Sequence, residues 1–255
     1  MVKKRIIPTL LLSDYGLVKG VRFNSWRRTG SALQAIKVYN LREVDEIVLL
    51  DIKATEQGRA PDCEFIDELA DECFMPMTVG GGIRSVDDIA HLLSVGADKI
   101  CINTAALQDP DLIENAVCQF GSQCIVVSID VLRHDDGRYE VFTHSGKQAT
   151  GIDPVAWAKE IQKRGAGELL LTSIDRDGTF EGYDVELTRS IVDAVDIPVI
   201  ASGGAGCYEH MEKVLKEGKA AAAAAASIYH FTEQTPREAK NYLLDKGIDV
   251  RPSYT

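Results

Sequence analysis

Two glycine clusters and a few carboxylates are the residues from which this chain could build chemistry. Gly80-Gly-Gly82 and Gly203-Gly204 each follow a short apolar run, and Asn103-Thr104 and Ala226-Ser227 follow two others. Glycines let backbone N–H groups come close to an anion, and a helix N-terminus just beyond adds its positive dipole end. The pattern describes two anion grips, Gly82 with Asn103 and Thr104, and Ser202 and Gly204 with Ala226 and Ser227. Opposed grips fit an elongated ligand phosphorylated at both ends. The alternative is that the glycines only make tight turns.

Asp51 and Asp130 end apolar runs, and Asp177 and Gly178 lie in Thr172-Ser-Ile-Asp-Arg-Asp-Gly-Thr179. A carboxylate whose surroundings tune its pKa can act as general acid or base; a helix cap or a loop hydrogen bond is the alternative for each. Six cysteines show no CxxC spacing, so neither a zinc site nor a disulfide framework is expected. No metal or cofactor is called for.

The elements that must position these groups alternate. Apolar runs at Ile6–Leu12, Ile47–Asp51, Met75–Val79, Lys99–Asn103, Cys124–Asp130, Leu169–Thr172, Val199–Ser202 and Ala220–Ser227 are separated by amphipathic segments of helical period. Ser85 and Asp153 have the character of helix N-caps, the latter followed by Pro154 at the first helical position. Eight strand–helix units in one chain specify an α/β fold, a single (β/α)8 TIM barrel over residues 1–255. Lys219 and the seven alanines after it would favour helix if taken alone. The repeat nonetheless assigns them to the eighth strand. Pro76–Gly82 matches Pro198–Gly204, Glu46 matches Glu168, and Gly96 matches Gly218, each 122 residues apart. Such a period means two half-barrels with paired functional loops on one face.

Four charged residues stand immediately before strands: Arg5, Glu46, Lys99 and Glu168. Two acids and two bases near the axis at the barrel's N-terminal end suggest a closed charge ring able to gate a small molecule; solvated strand ends are the alternative. A net charge of −11 argues against a nucleic-acid surface. No apolar run reaches membrane-spanning length, and the Met1–Pro8 stretch is a poor signal peptide. A soluble, cytoplasmic protein with no membrane contact is expected.

The runs Lys4-Arg-Ile-Ile-Pro8, Val18-Lys-Gly20, Val79-Gly-Gly-Gly-Ile-Arg-Ser85, Gly121–Val127, Thr172–Thr179, Gly182-Tyr-Asp184 and Ala201–Gly206 together resemble the cyclase subunit of imidazole glycerol phosphate synthase over nearly the whole chain. The resemblance implies a glutaminase subunit docked at the N-terminal face, near Asp98. It also implies an ammonia gate formed by Arg5, Glu46, Lys99 and Glu168. Ammonia would pass through the barrel to a bisphosphorylated ribotide at the mouth. Lys19 falls on a mobile loop after the first strand and Asp130 on one of two catalytic aspartates. At the other aspartate position this sequence has Leu11, and leucine cannot exchange a proton.

Leu10-Leu-Leu12, Phe74-Met-Pro76 and Asn103–Leu107 are similar to a divergent branch that accompanies surface-polysaccharide synthesis. That branch implies a conduit which passes ammonia to an N-acetyl-sugar amidotransferase forming acetamidino groups. Two other readings stay open: an authentic cyclase that tolerates Leu11, and a scaffold that only activates the glutaminase. In the conduit reading the retained phosphate loops either bind a phosphorylated or nucleotide-linked small molecule that signals to the glutaminase or are inherited; in the cyclase reading they hold the phosphorylated substrate.

Overall fold

In the computed structural model of the protein, residues 3–14 and 16–252 are described. The strands are β1 Arg5–Ser13, β2 Gly16–Val21, β3 Asn24–Ser31, β4 Ile47–Asp51, β5 Met77–Gly80, β6 Lys99–Ile102, β7 Ile125–Arg133, β8 Tyr139–Thr143, β9 Gln148–Ala149, β10 Glu168–Ser173, β11 Val199–Ser202 and β12 Ala222–Ala225. Eight of them pair in parallel in the order β10-β11-β12-β1-β4-β5-β6-β7, and β7 pairs with β10 to close the ring. This is the (β/α)8 barrel that the alternation of runs and helical segments calls for.

The helices are α1 Ala32–Leu41, α2 Cys63–Ala70, α3 Val86–Ser94, α4 Thr104–Gln108, α5 Asp111–Phe120, α6 Pro154–Lys163, α7 Val185–Val192, α8 Tyr208–Lys216, α9 Ser227–Phe231 and α10 Pro236–Asp245. Ser85 caps α3 in a full capping box with Asp88, and Asp153 caps α6 with Pro154 at its first position. None of these helices is long and apolar enough to cross a membrane.

Strand β1 shows why an unbroken apolar run is needed. Ile6, Leu10 and Leu12 face the surrounding helices, whereas Ile7 belongs to the packed barrel interior with Val48, Cys101, Val126, Leu170, Ile200, Ala222 and Ala224. A strand buried on both faces reads as continuous rather than alternating.

The alanine run is a strand despite its helical preference, but a shorter one than Ala220–Ser227. Ala222–Ala225 is held between β1, with Arg5 opposite Ala222 and Ile7 opposite Ala224, and β11. Ladder pairing on both sides outweighs a propensity difference of a fraction of a kcal/mol per residue. Ser227 begins α9 instead.

Two hairpins interrupt the alternation and were not legible as strands. β2 turns back antiparallel from the end of β1 and pairs with β3; β8 turns back from β7 and pairs with β9. Both rise from the C-terminal ends of barrel strands, so both overhang the mouth.

Candidate functional site

At the N-terminal end, the four charged residues do close into a ring. Arg5 Nη1 donates to Glu46 Oε2 at 2.7 Å, and its guanidinium also binds Glu168. Lys99 Nζ donates to Glu46 at 3.0 Å and to Glu168 at 3.0 Å. Thr78 Oγ1 adds a hydrogen bond to Glu46 at 2.8 Å. Burial opposes the Arg5 charge, but Glu168 and Glu46 outweigh it and raise its pKa. The 122-residue repeat accounts for the two acids, whereas the two bases come from unrelated positions.

The surface around this ring is unusual. Leu41 and Phe74 are 78% and 83% exposed, and Asn40 ties their segments together by donating to Glu72 O at 2.6 Å and accepting from Phe74 N at 3.1 Å. Asp98 is exposed on the same end, where its carboxylate accepts from Met77 N at 2.8 Å.

At the opposite end lies a cavity of about 340 Å3, within the range of small-molecule sites. It gathers every residue expected at the mouth. Leu11, Lys19, Asp51, Asp130, Thr172, Asp177 and Gly178 line it, as do Gly82, Asn103 and Thr104 of one grip and Ser202, Gly204, Ala226 and Ser227 of the other.

The three aspartates are not equivalent. Asp51 accepts from Lys53 N at 2.9 Å and Ala54 N at 3.0 Å and pairs with Arg59 at 2.9 Å, so it organises the loop after β4. Asp177 takes both bonds from Lys19 Nζ, at 2.8 and 2.6 Å. Asp130 has no ion-pair partner among the described residues. Burial pushes its carboxyl up to about 7, Asp177 adds to the rise, and hydrogen bonds with Ser128, Asn103 and Thr172 pull the other way. Asn103 Nδ2 donates to it at 2.7 Å. A carboxyl balanced near neutrality can both give and take a proton. Leu11, beneath the same cavity, can do neither.

Lys19 lies within β2 rather than on an irregular loop, and its pair with Asp177 is buried. Arg22 N donates to Asp177 O at 2.7 Å beside it. Gly178, with φ +74°, lets Gly20 O come so near that a Cβ there would sit 2.2 Å from it. The β2–β3 hairpin is thereby fastened down beside the mouth.

The glycine turns also require glycine. Gly82 has φ +75°, and a Cβ would lie 2.5 Å from Arg59 O; Gly204 has φ +106°, with Gly182 O at 2.2 Å. At the second expected anion site, Ser227 Oγ is buried without a hydrogen-bond partner among the described residues, as are Thr9 Oγ1 and Asn103 Oδ1 on the same cavity. A buried polar atom left unpaired costs about 1–3 kcal/mol, so such atoms mark where a ligand can be held.

Sequence reasoning missed several lining residues: Phe23, Trp26, Arg59, Arg84, His144 and Ser145. His144 and Ser145 adopt consecutive left-handed conformations, φ 52° and 55°. They are held there by His144 N donating to Thr104 Oγ1 at 3.1 Å and Ser145 Oγ donating to Ile52 O at 3.0 Å. A signal did exist for Trp26, since it stands among Arg22, Arg27 and Arg28 in an otherwise acidic chain.

The family model for histidine biosynthesis protein matches residues 5–235, which contain both the charge ring and the whole cavity lining. The chain belongs to that family.

Proposed function

We propose that this member of the histidine biosynthesis protein family is the barrel subunit of a glutamine-dependent amidotransferase complex and conducts ammonia. A glutaminase subunit seats on the N-terminal face over Leu41, Phe74 and Asp98. Its ammonia passes the Arg5–Glu46–Lys99–Glu168 ring and the apolar interior to the mouth. There an N-acetyl-sugar amidotransferase takes it to form acetamidino sugars for surface polysaccharide. One observation carries this reading: the charge ring is complete while the mouth has Leu11 where acid–base chemistry would want a second carboxylate.

The conduit fits elementary chemistry. Neutral ammonia crosses apolar layers such as Ile7, Val48, Leu170 and Ile200 more readily than ammonium, because burying an unpaired charge is costly. A ring of fixed charges at the entrance offers hydrogen bonds to a molecule that both donates and accepts.

A second reading is favoured by Asp130, whose carboxyl near 7 suits proton transfer. In it the protein is a cyclase and lyase that cleaves and cyclises a bisphosphorylated ribotide with ammonia, as in histidine biosynthesis.

The deciding experiment is turnover of that ribotide in excess ammonium salt, which needs no glutaminase, for the wild type and Leu11→Asp. The conduit reading expects no wild-type turnover and a measurable gain in Leu11→Asp. Robust wild-type turnover would establish the cyclase instead. In the glutaminase complex, Lys99→Ala is expected to uncouple glutamine hydrolysis from ammonia use; unchanged coupling would remove Lys99 from the gate.

A further inference from the structure

The charge ring needs Arg5 and Glu46 at one spacing, and the residues next to them set it. The ladder between β1 and β4 begins at Thr9 opposite Val48. Nearer the ring, Ile6 and Asp45 keep the same 39-residue offset, but there the link is a side chain: Ile6 N donates to Asp45 Oδ2 at 2.9 Å. Arg5 precedes Ile6 and Glu46 follows Asp45. This hydrogen bond therefore ties together the two backbones that carry the Arg5–Glu46 pair.

What holds Asp45 is a lysine from near the other end of the chain. Lys240, in α10, is fully buried and donates from Nζ to Asp45 Oδ1 at 2.7 Å and to Glu43 O at 2.8 Å. Lysine is almost never buried so completely unless paired, and a buried carboxylate is costly without its partner. Barrel closure does not require the arrangement. The matching position in the second half, 122 residues on, is Gly167, where a Cβ would lie 2.1 Å from Ser122 O. The helix itself begins at Pro236, beyond the residues 5–235 that the family model matches. Its Ala239 and Leu243 pack in one cluster with Ile6. Arg237 Nη2 donates to Leu41 O at 3.2 Å, on the exposed N-terminal face.

We infer that Lys240 is a positioning residue of the charge ring. Its ammonium fixes the Asp45 carboxylate in the orientation that also accepts from Ile6 N, and so sets Arg5 against Glu46. Without that ammonium, Asp45 is a buried charge short of a partner, and it turns away from Ile6 N and frees the start of β1. Because the same helix touches Leu41, a partner seated on that face bears on the ring through α10. The positioning holds whatever passes the ring; its effect on ammonia rests on the proposed conduit.

The test follows the Arg5 guanidinium N–H signals by proton–nitrogen NMR of the whole protein, assigned by their loss in Arg5→Lys. In Lys240→Met their exchange with water is expected to quicken at least tenfold, as a local opening does. Asp45→Asn, which offers one oxygen where two are used, should do the same and carries the test if Lys240→Met does not fold. Leu243→Ala is the control. It removes another buried α10 side chain and should lower stability while leaving Arg5 exchange within twofold. Unchanged Arg5 exchange in the first two variants, or equal quickening in Leu243→Ala, would overturn the inference, since α10 would then only stabilise the barrel. In the glutaminase complex, Lys240→Met should also uncouple glutamine hydrolysis from ammonia use. Quickened Arg5 exchange with coupling intact would leave Lys240 its positioning role and overturn the ring as an ammonia gate.

Discussion

At one end of the barrel, four charges are paired with one another; at the other, Thr9, Asn103 and Ser227 have polar atoms with no hydrogen-bond partner among the described residues. Both ends bury polar groups, which is costly unless a partner is supplied. The ring supplies its partners internally, so it belongs to the fold and works with or without a ligand. The mouth leaves partners to be supplied, so its energy is realised only when something binds. Stability should therefore respond strongly to substitutions in the ring and weakly, or even favourably, to substitutions at the mouth.

The largest effect is expected from Glu46→Ala. It leaves Arg5 and Lys99 sharing Glu168 alone and strips Thr78 of its acceptor. Breaking a buried charge network by removing one member costs about 3–5 kcal/mol, measurable by urea unfolding. A loss below about 1 kcal/mol would mean that solvent already carries these charges and that the two ends do not differ.

Asp130→Asn should move stability the other way. Its carboxyl is raised to about 7 by burial, so the folded protein holds a proton there that the unfolded chain releases at an ordinary carboxylate pKa. The stability this contributes is complete below that ordinary value and is lost as pH rises through about 7. Removing the charge should make the protein about 2–3 kcal/mol more stable at pH 8 and change little at pH 4. Unfolding curves at the two pH values check it; equal effects at both would mean Asp130 ionises freely.

How much of this contrast was legible from residues alone follows from what each end is made of. The ring was legible because its members sit immediately before strands, where period and position leave little freedom. The barrel was legible because the 122-residue repeat fixes even the Ala222–Ala225 strand, which propensity alone would have made helix. The hairpins were not. β3 is mostly exposed and its pairing with β2 shifts register at Leu17/Val18 and Lys19/Val21, so no clean alternation marks it. Trp26, His144 and the Lys19–Asp177 pair depend on those hairpins folding back over the mouth. Such a contact spans 158 residues in sequence and has no local signature.

Lys19→Met sharpens the comparison at the boundary between the two behaviours, because Lys19 is a fully partnered charge at the mouth. Its loss frees Asp177 and loosens the hairpin while leaving the barrel ladder intact. Amide hydrogen exchange in residues 16–31 should rise about 30-fold, equivalent to about 2 kcal/mol of local opening, with the barrel strands unchanged. A rise in β4 or β10 as well would make the hairpin part of the cooperative core.

Ser227→Ala gives the smallest effect on stability and the sharpest contrast in kind. Ser227 is buried with no partner for its hydroxyl among the described residues, so the substitution removes an unsatisfied group and leaves a methyl that α9 accommodates readily. Without ligand, unfolding free energy should stay the same or rise by up to about 1 kcal/mol. With pyrophosphate present, the wild type should gain stability by mass action and the variant should gain less, because the hydroxyl is then the group that binds. A ring residue would behave oppositely, destabilising the protein equally with and without ligand. If Ser227→Ala instead costs more than about 1 kcal/mol in the unliganded protein, the hydroxyl serves the fold after all, and the mouth is held together from within just as the ring is.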